Sequence, residues 1–173
     1  MKKNFLIYYV LSFFLFNLSY AENIAYIDLN YLVNNTIVGK KVLDKLETIN
    51  KKNLNILSEE QQSLNNARND IEKQKNILSK KELENKIIDL NNKFEKFNLR
   101  QETKINELNN LRQTELKKLF LKINPIIENY MINENIDLIL KKESIYISKT
   151  KYDITKLIID EINKSNIDND NIK

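Results

Sequence analysis

The chain reads as a mainly α protein with a small β body. A long antiparallel helical hairpin projects from a small sheet that further copies complete. Three observations predict this. The one glycine, Gly39, and the one proline, Pro125, bracket residues 40–124, which contain no helix breaker. Inside that stretch sits a single start signal, Ser79-Lys80-Lys81-Glu82, with the S-x-x-E form of a capping box. Short apolar segments with strand character lie on both sides of it. Two helices folded back at Leu78–Ser79 satisfy all three, and at roughly 1.5 Å per residue each arm would reach about 60 Å.

The chain opens with a basic start, Met1-Lys2-Lys3, an apolar run from Phe5 to Phe16, and small residues at Ser19 and Ala21. This is the pattern of a Sec-type signal peptide over 1–21, cleaved after Ala21, and it predicts export to the periplasm. An uncleaved anchor is the competing reading. The apolar run is short beside the ~20 residues a membrane helix needs, and a cleavage site follows it. Loss of Lys2 and Lys3 lowers the formal charge of +4 to +2, so the pI near 9.0 reflects a nearly balanced surface.

The body is expected to be discontinuous, formed by 22–38 and 125–163, with the arm over 39–124, its tip near 78–80, and a frayed tail over 164–173. Residues 24–29 read as a strand, with Asn30 capping a short helix through Val33 and Gly39 as a loop residue at the entry to the arm. On the first arm Leu43, Asn50, Leu57, Leu64, Ile71 and Leu78 form a strict seven-residue series. A second seam through Leu46, Leu54, Gln61, Ala67 or Arg68, and Gln74 or Lys75 turns polar towards the tip. Leu83, Ile87, Leu90, Phe94 and Phe97 carry the return arm. The pattern there slips through Gln101 and Lys104 and resumes at Ile105, Leu108, Leu111 or Arg112, and Leu116. So incomplete a core predicts a mobile distal arm.

At Pro125 the arm either kinks or ends and restarts. Residues 136–140 and 144–148 read as two further strands. Asp153 is expected to cap a final helix from Ile154 to about Asn163, with Leu157, Ile158 and Ile162 on its apolar face. About 65 body residues sit near the lower limit of independent stability. Open strand edges would also invite pairing, so a shared sheet in an obligate oligomer is expected.

Composition removes most chemistry. There is no histidine and no cysteine, hence no common general base, soft metal ligand or disulfide, and one glycine cannot build a phosphate loop. No enzyme, no metal and no cofactor is expected. The candidate contact residues lie on the arm instead. Lys73, Lys75, Lys80 and Lys81 cluster at the tip, where the alternatives are a solvated turn or a landing point for acidic partners or lipid head groups. Ile49, Ile56, Ile77, Ile88 and Leu99 fall off the seams. Single exposed apolar residues are ordinary, but Ile56, Ile77, Ile88 and Leu99 on a flexible arm also suit weak contact with unfolded chains.

Ile24-Ala25-Tyr26-Ile27-Asp28-Leu29 after a signal peptide, the charged hairpin, Asn135-Ile136-Asp137-Leu138-Ile139-Leu140 after a helix, and Tyr152-Asp153-Ile154-Thr155 opening the last helix together resemble the Skp/OmpH family of periplasmic chaperones. The resemblance covers essentially the whole mature chain. It implies a homotrimer with a β body and three helical arms around a cavity. It also implies ATP-independent holding of unfolded outer membrane β-barrel proteins before membrane insertion, and a contact of the arms with membrane lipid or lipopolysaccharide. A coiled-coil tether of the cell envelope is the rival reading, though it would need no strands that meet from both ends of the arm. Nucleic-acid binding is disfavoured by the export signal and the balanced mature charge.

Overall fold

The computed structural model describes residues 23–165 and 167, so the expected signal peptide, its expected cleavage site and most of the expected tail lie outside the described residues. Strand β1 (Ile24–Ile27) leads into helix α1 (Leu29–Asn35), and then into the two arm helices, α2 (Ile37–Gln74) and α3 (Lys80–Asn133). Strand β2 (Leu138–Lys141), two short 3-10 turns (Lys142–Ser144 and Thr150–Tyr152) and helix α4 (Thr155–Lys164) complete the body.

β1 and β2 are parallel neighbours in the register Ile24↔Leu138 to Ile27↔Lys141. The whole arm is therefore the crossover between two adjacent strands. β1 stops two residues sooner than its apolar run suggests because Asp28, not Asn30, caps α1. The Asp28 carboxylate accepts the Tyr31 N–H at 2.8 Å, and the Asp28 N–H is bonded to the Thr155 hydroxyl at 2.9 Å. The other side of β1 is met by Asp153, which bridges Tyr26, while the Ile154 N–H donates to the Tyr26 carbonyl at 3.1 Å.

Gly39 is not a loop residue. It lies in the first turn of α2, buried, and a Cβ there would stand 2.1 Å from the Val33 carbonyl oxygen. Glycine is needed because the end of α1 runs directly against the start of α2. Thr36 joins them: its N–H closes α1 on Leu32, and its hydroxyl accepts the Gly39 N–H at 3.2 Å.

Pro125 does not end the return helix, since α3 runs through it to Asn133. Proline leaves one helical bond unmade. Leu121, which would have accepted it, is a solvent-exposed residue. The helix terminates eight residues later, at Asn133. Asn135 takes the left-handed conformation at φ 51°, and Asn135 and Ile136 donate to Ile132 and Met131 in a Schellman arrangement.

Two further expectations are corrected here. Residues 144–148 form no strand: the segment runs irregularly between the two 3-10 turns, and Tyr146 and Ile147 extend into solvent. Helix α4 starts at Thr155 with Asp153 two residues ahead, where its carboxylate accepts the Thr155 N–H at 3.0 Å. Leu157 faces solvent, and the buried face is Thr155, Ile158, Ile159 and Ile162. That face packs with Ala25, Ile27, Leu32, Val33, Leu119 and Ile123 as one core at the root of the arm.

Candidate functional site

The arm is the candidate site, and its geometry follows from how α2 and α3 are aligned. Side-chain hydrogen bonds cross between them from Lys45 to Glu115 at 2.9 Å, from Arg100 to Glu60 at 2.9 Å and from Lys86 to Gln74 at 2.8 Å. In each pair the two residue numbers add to 160. The helices therefore keep one register from Lys45 to Gln74, about 44 Å of arm. The hairpin closes through Lys75–Ser79, and the Ser79–Glu82 capping box is formed, the Ser79 hydroxyl accepting the Glu82 N–H at 3.3 Å and the Glu82 carboxylate accepting the Ser79 N–H at 3.0 Å.

Constant register removes the slip expected near Gln101. The buried and half-buried line on α3 is Leu83, Leu90, Phe97, Lys104 and Leu111, a strict seven-residue series with Lys104 inside it, while Ile105 is exposed. On α2 the second seam is Leu46, Asn53, Glu60, Ala67 and Gln74, and Leu54 is exposed. Leu54 and Ile105 drew the sequence reading off line because an apolar residue was preferred to its polar neighbour. Heptad geometry instead puts the polar one inside.

Apolar packing on the arm is thus concentrated in two places. One is the root core. The other is a distal cluster of Leu64, Leu90 and Phe97 with Leu57, Ala67, Ile71 and Phe94 against it. Between them Asn53 and Lys104 are half-buried in the seams, and Ile49, expected off the seams, is half-buried where the expected seam residue Asn50 is exposed. At the root Glu115 is nearly buried and held between Lys45 at 2.9 Å and Lys118 at 3.2 Å. The hydrogen bond from Lys45 dominates over burial and keeps this carboxyl below the ordinary carboxylate range.

Little here suits covalent chemistry. Among the described residues no group of carboxylates is placed to hold a metal, and no helix is long and apolar enough to cross a membrane. A shallow cleft of about 290 Å³ lies between α3 and α4, with Tyr130, Glu161 and Lys164 in its wall. Burial first, then Glu134 and Glu161, pushes the Tyr130 phenol upward, so it stays protonated.

A family model described as Outer membrane protein (OmpH-like) matches residues 23–162, which takes in the sheet, both arm helices and nearly all of α4. The chain belongs to the OmpH-like family. Among solved structures it is similar to one from Caulobacter crescentus CB15, described as a candidate outer membrane chaperone (OmpH-like). The two share a TM-score of 0.72 and 19% sequence identity over 83% of this chain and 85% of that one. That likeness establishes the fold. No curated protein matched the sequence.

On this OmpH-like arm the four tip lysines are not equivalent. Lys75 pairs with Glu72, and Lys73 stands 3.8 Å from Asp70, whereas Lys80 and Lys81 form no ion pair among the described residues. The four apolar candidates are all exposed but do not share a face. Ile77 sits in the closing turn. Ile56 lies one turn from Glu60, on the flank that Arg100 bridges. Ile88 and Leu99 lie together on another side of α3.

Proposed function

We propose that this OmpH-like chain is a periplasmic holding chaperone. It binds unfolded outer membrane β-barrel proteins between helical arms and prevents their aggregation before membrane insertion, without ATP and without catalysis. The observation that carries the reading is the arm itself: a hairpin in fixed register that leaves isolated isoleucine and leucine side chains in water along its length. Unfolded barrel strands expose apolar side chains and unpaired backbone. Many weak contacts from several arms hold such a chain where one contact would not. The similar structure described as an outer membrane chaperone supports the same reading.

The body supports association into a homotrimer. Among the described residues β2 pairs only with β1, which leaves its other edge open, and Leu138, Tyr146 and Ile147 are exposed. An edge of this kind is normally covered or paired. The pairing of β1 with β2 from opposite ends of the arm also weighs against a simple envelope tether, which needs no such closure. The Met1–Ala21 pattern supports export to the periplasm. Lys80 and Lys81 are the lysines most available to an acidic client, membrane lipid or lipopolysaccharide, and Lys73 and Lys75 add to the same tip.

The test is light scattering of a urea-diluted outer membrane β-barrel protein. A several-fold molar excess of the mature chain should suppress the signal with no nucleotide present, and unchanged scattering would refute holding. In the same assay Lys80→Glu with Lys81→Glu should slow capture at low salt; an unaltered rate would leave these lysines as solvated turn residues.

A further inference from the structure

Helix α3 spans 54 residues, and of its large exposed apolar side chains all but Ile87 and Ile105 fall at a regular interval. Ile88, Leu99, Leu121 and Ile132 are 52%, 58%, 65% and 72% exposed. They fall on an eleven-residue series whose one other member is Asn110. Eleven residues make three helical turns with only about 20° left over, so the series runs as a slowly drifting line along one side of the helix. From Ile88 to Ile132 that line is about 66 Å long, with apolar contacts spaced roughly every 16 Å or a multiple of it. Every member is uncharged in a chain of which 30% is charged.

We propose that this line is the contact rail for extended, unfolded polypeptide. The proposal rests on the holding function and specifies the surface that performs it. Spacing and charge select the occupant. A helix of a second copy would need an apolar seam at every third or fourth residue. Here the positions one turn beyond Ile88 and Leu99 are Asn91, Asn92, Glu102 and Thr103. An unfolded chain needs no such seam. Its apolar side chains touch the isoleucines and leucines singly, and amide side chains such as Asn91 and Asn92 offer donors and acceptors to its unpaired backbone.

A matched pair of variants tests this on the full mature chain. Ile88→Asn with Leu99→Asn alters two members of the line. Leu54→Asn with Ile105→Asn alters two arm residues of equal exposure, 57% and 54%, that lie off it. Binding of a urea-unfolded outer membrane β-barrel protein is measured by fluorescence, and sedimentation is run on each variant. The line pair should weaken binding about tenfold, the outcome expected when two half-exposed apolar contacts are lost, and the off-line pair by less than about twofold. Adding Leu121→Asn and Ile132→Asn to the line pair should deepen the loss with the oligomer intact. Equal losses in the two pairs, or no loss in either, would overturn the rail while leaving the holding function standing. Dissociation of the oligomer by the line variants would reassign the line to an interface between copies. A wild-type chain that binds no client would overturn both the rail and the function.

Discussion

At the scale of single residues, the body is assembled by short polar side chains at backbone junctions. Asp28 ends β1, caps α1 and accepts Lys142 at 2.8 Å; that hydrogen bond, followed by the Tyr31 N–H, holds its carboxyl below the usual range. Thr36 closes one helix and opens the next, and Gly39 permits the approach between them. Glu115 does the comparable work at the root of the arm. Its carboxyl is held below the ordinary value of 4.5, so the unfolded chain binds the proton more readily than the folded one. The stabilisation is therefore present above about pH 4.5 and lost as pH falls below it. Glu115→Gln should be less stable than wild type at pH 7, and the gap should narrow as the pH falls below 4.5 and the wild-type carboxyl takes up its proton. Urea midpoints at a single protein concentration measure this, and a gap that does not change with pH would contradict the clamp. These junction roles were only partly legible in the sequence. Asp153 is close to its expected place, but the cap expected at Asn30 lies at Asp28, and nothing local distinguishes a glycine in a loop from one pressed against a carbonyl.

At the scale of elements, the hairpin was legible because its signals are long and mutually consistent. The breaker-free run, the Ser79 capping box and the series from Leu57 to Ile71 all agree with the structure. The return arm was misread where two adjacent residues offered different seams. Lys104 and Ile105 are one position apart, and only the constant cross-arm register decides that the lysine lies inside. The consequence is mechanical. Looseness is expected in the middle of the arm, between the root core and the Leu64–Leu90–Phe97 cluster, in place of the whole distal half. Backbone amides over 50–57 and 104–111 should exchange with solvent faster than those over 61–71 and 90–97 in a hydrogen-exchange measurement. Exchange rising smoothly from root to tip would contradict the two-core description. The missing strand at 144–148 has a different cause. The run Ile145–Ile147 is apolar, but a strand needs a pairing partner, and the two-stranded sheet takes in no part of it; a 3-10 turn stands on each side, and Tyr146 and Ile147 are left in solvent.

At the scale of the whole molecule, the sheet, the root core and the arm form one device. β1 and β2 bring the two ends of a very long crossover together, so the arm leaves the body as a single hairpin and not as two separate strands of chain. Among the described residues the body leaves an open edge on β2 and exposed apolar residues, which the proposed trimer would cover, while the arm carries its line of isolated apolar side chains. Membership of the OmpH-like family agrees with this division of labour. The central claim is that a small number of such arms enclose one unfolded client. Native mass spectrometry of the mature chain mixed with a urea-unfolded outer membrane β-barrel protein tests it most directly. The account predicts a complex of three chains with one client, formed without nucleotide; a monomeric chain, or a trimer that never retains client, would contradict it.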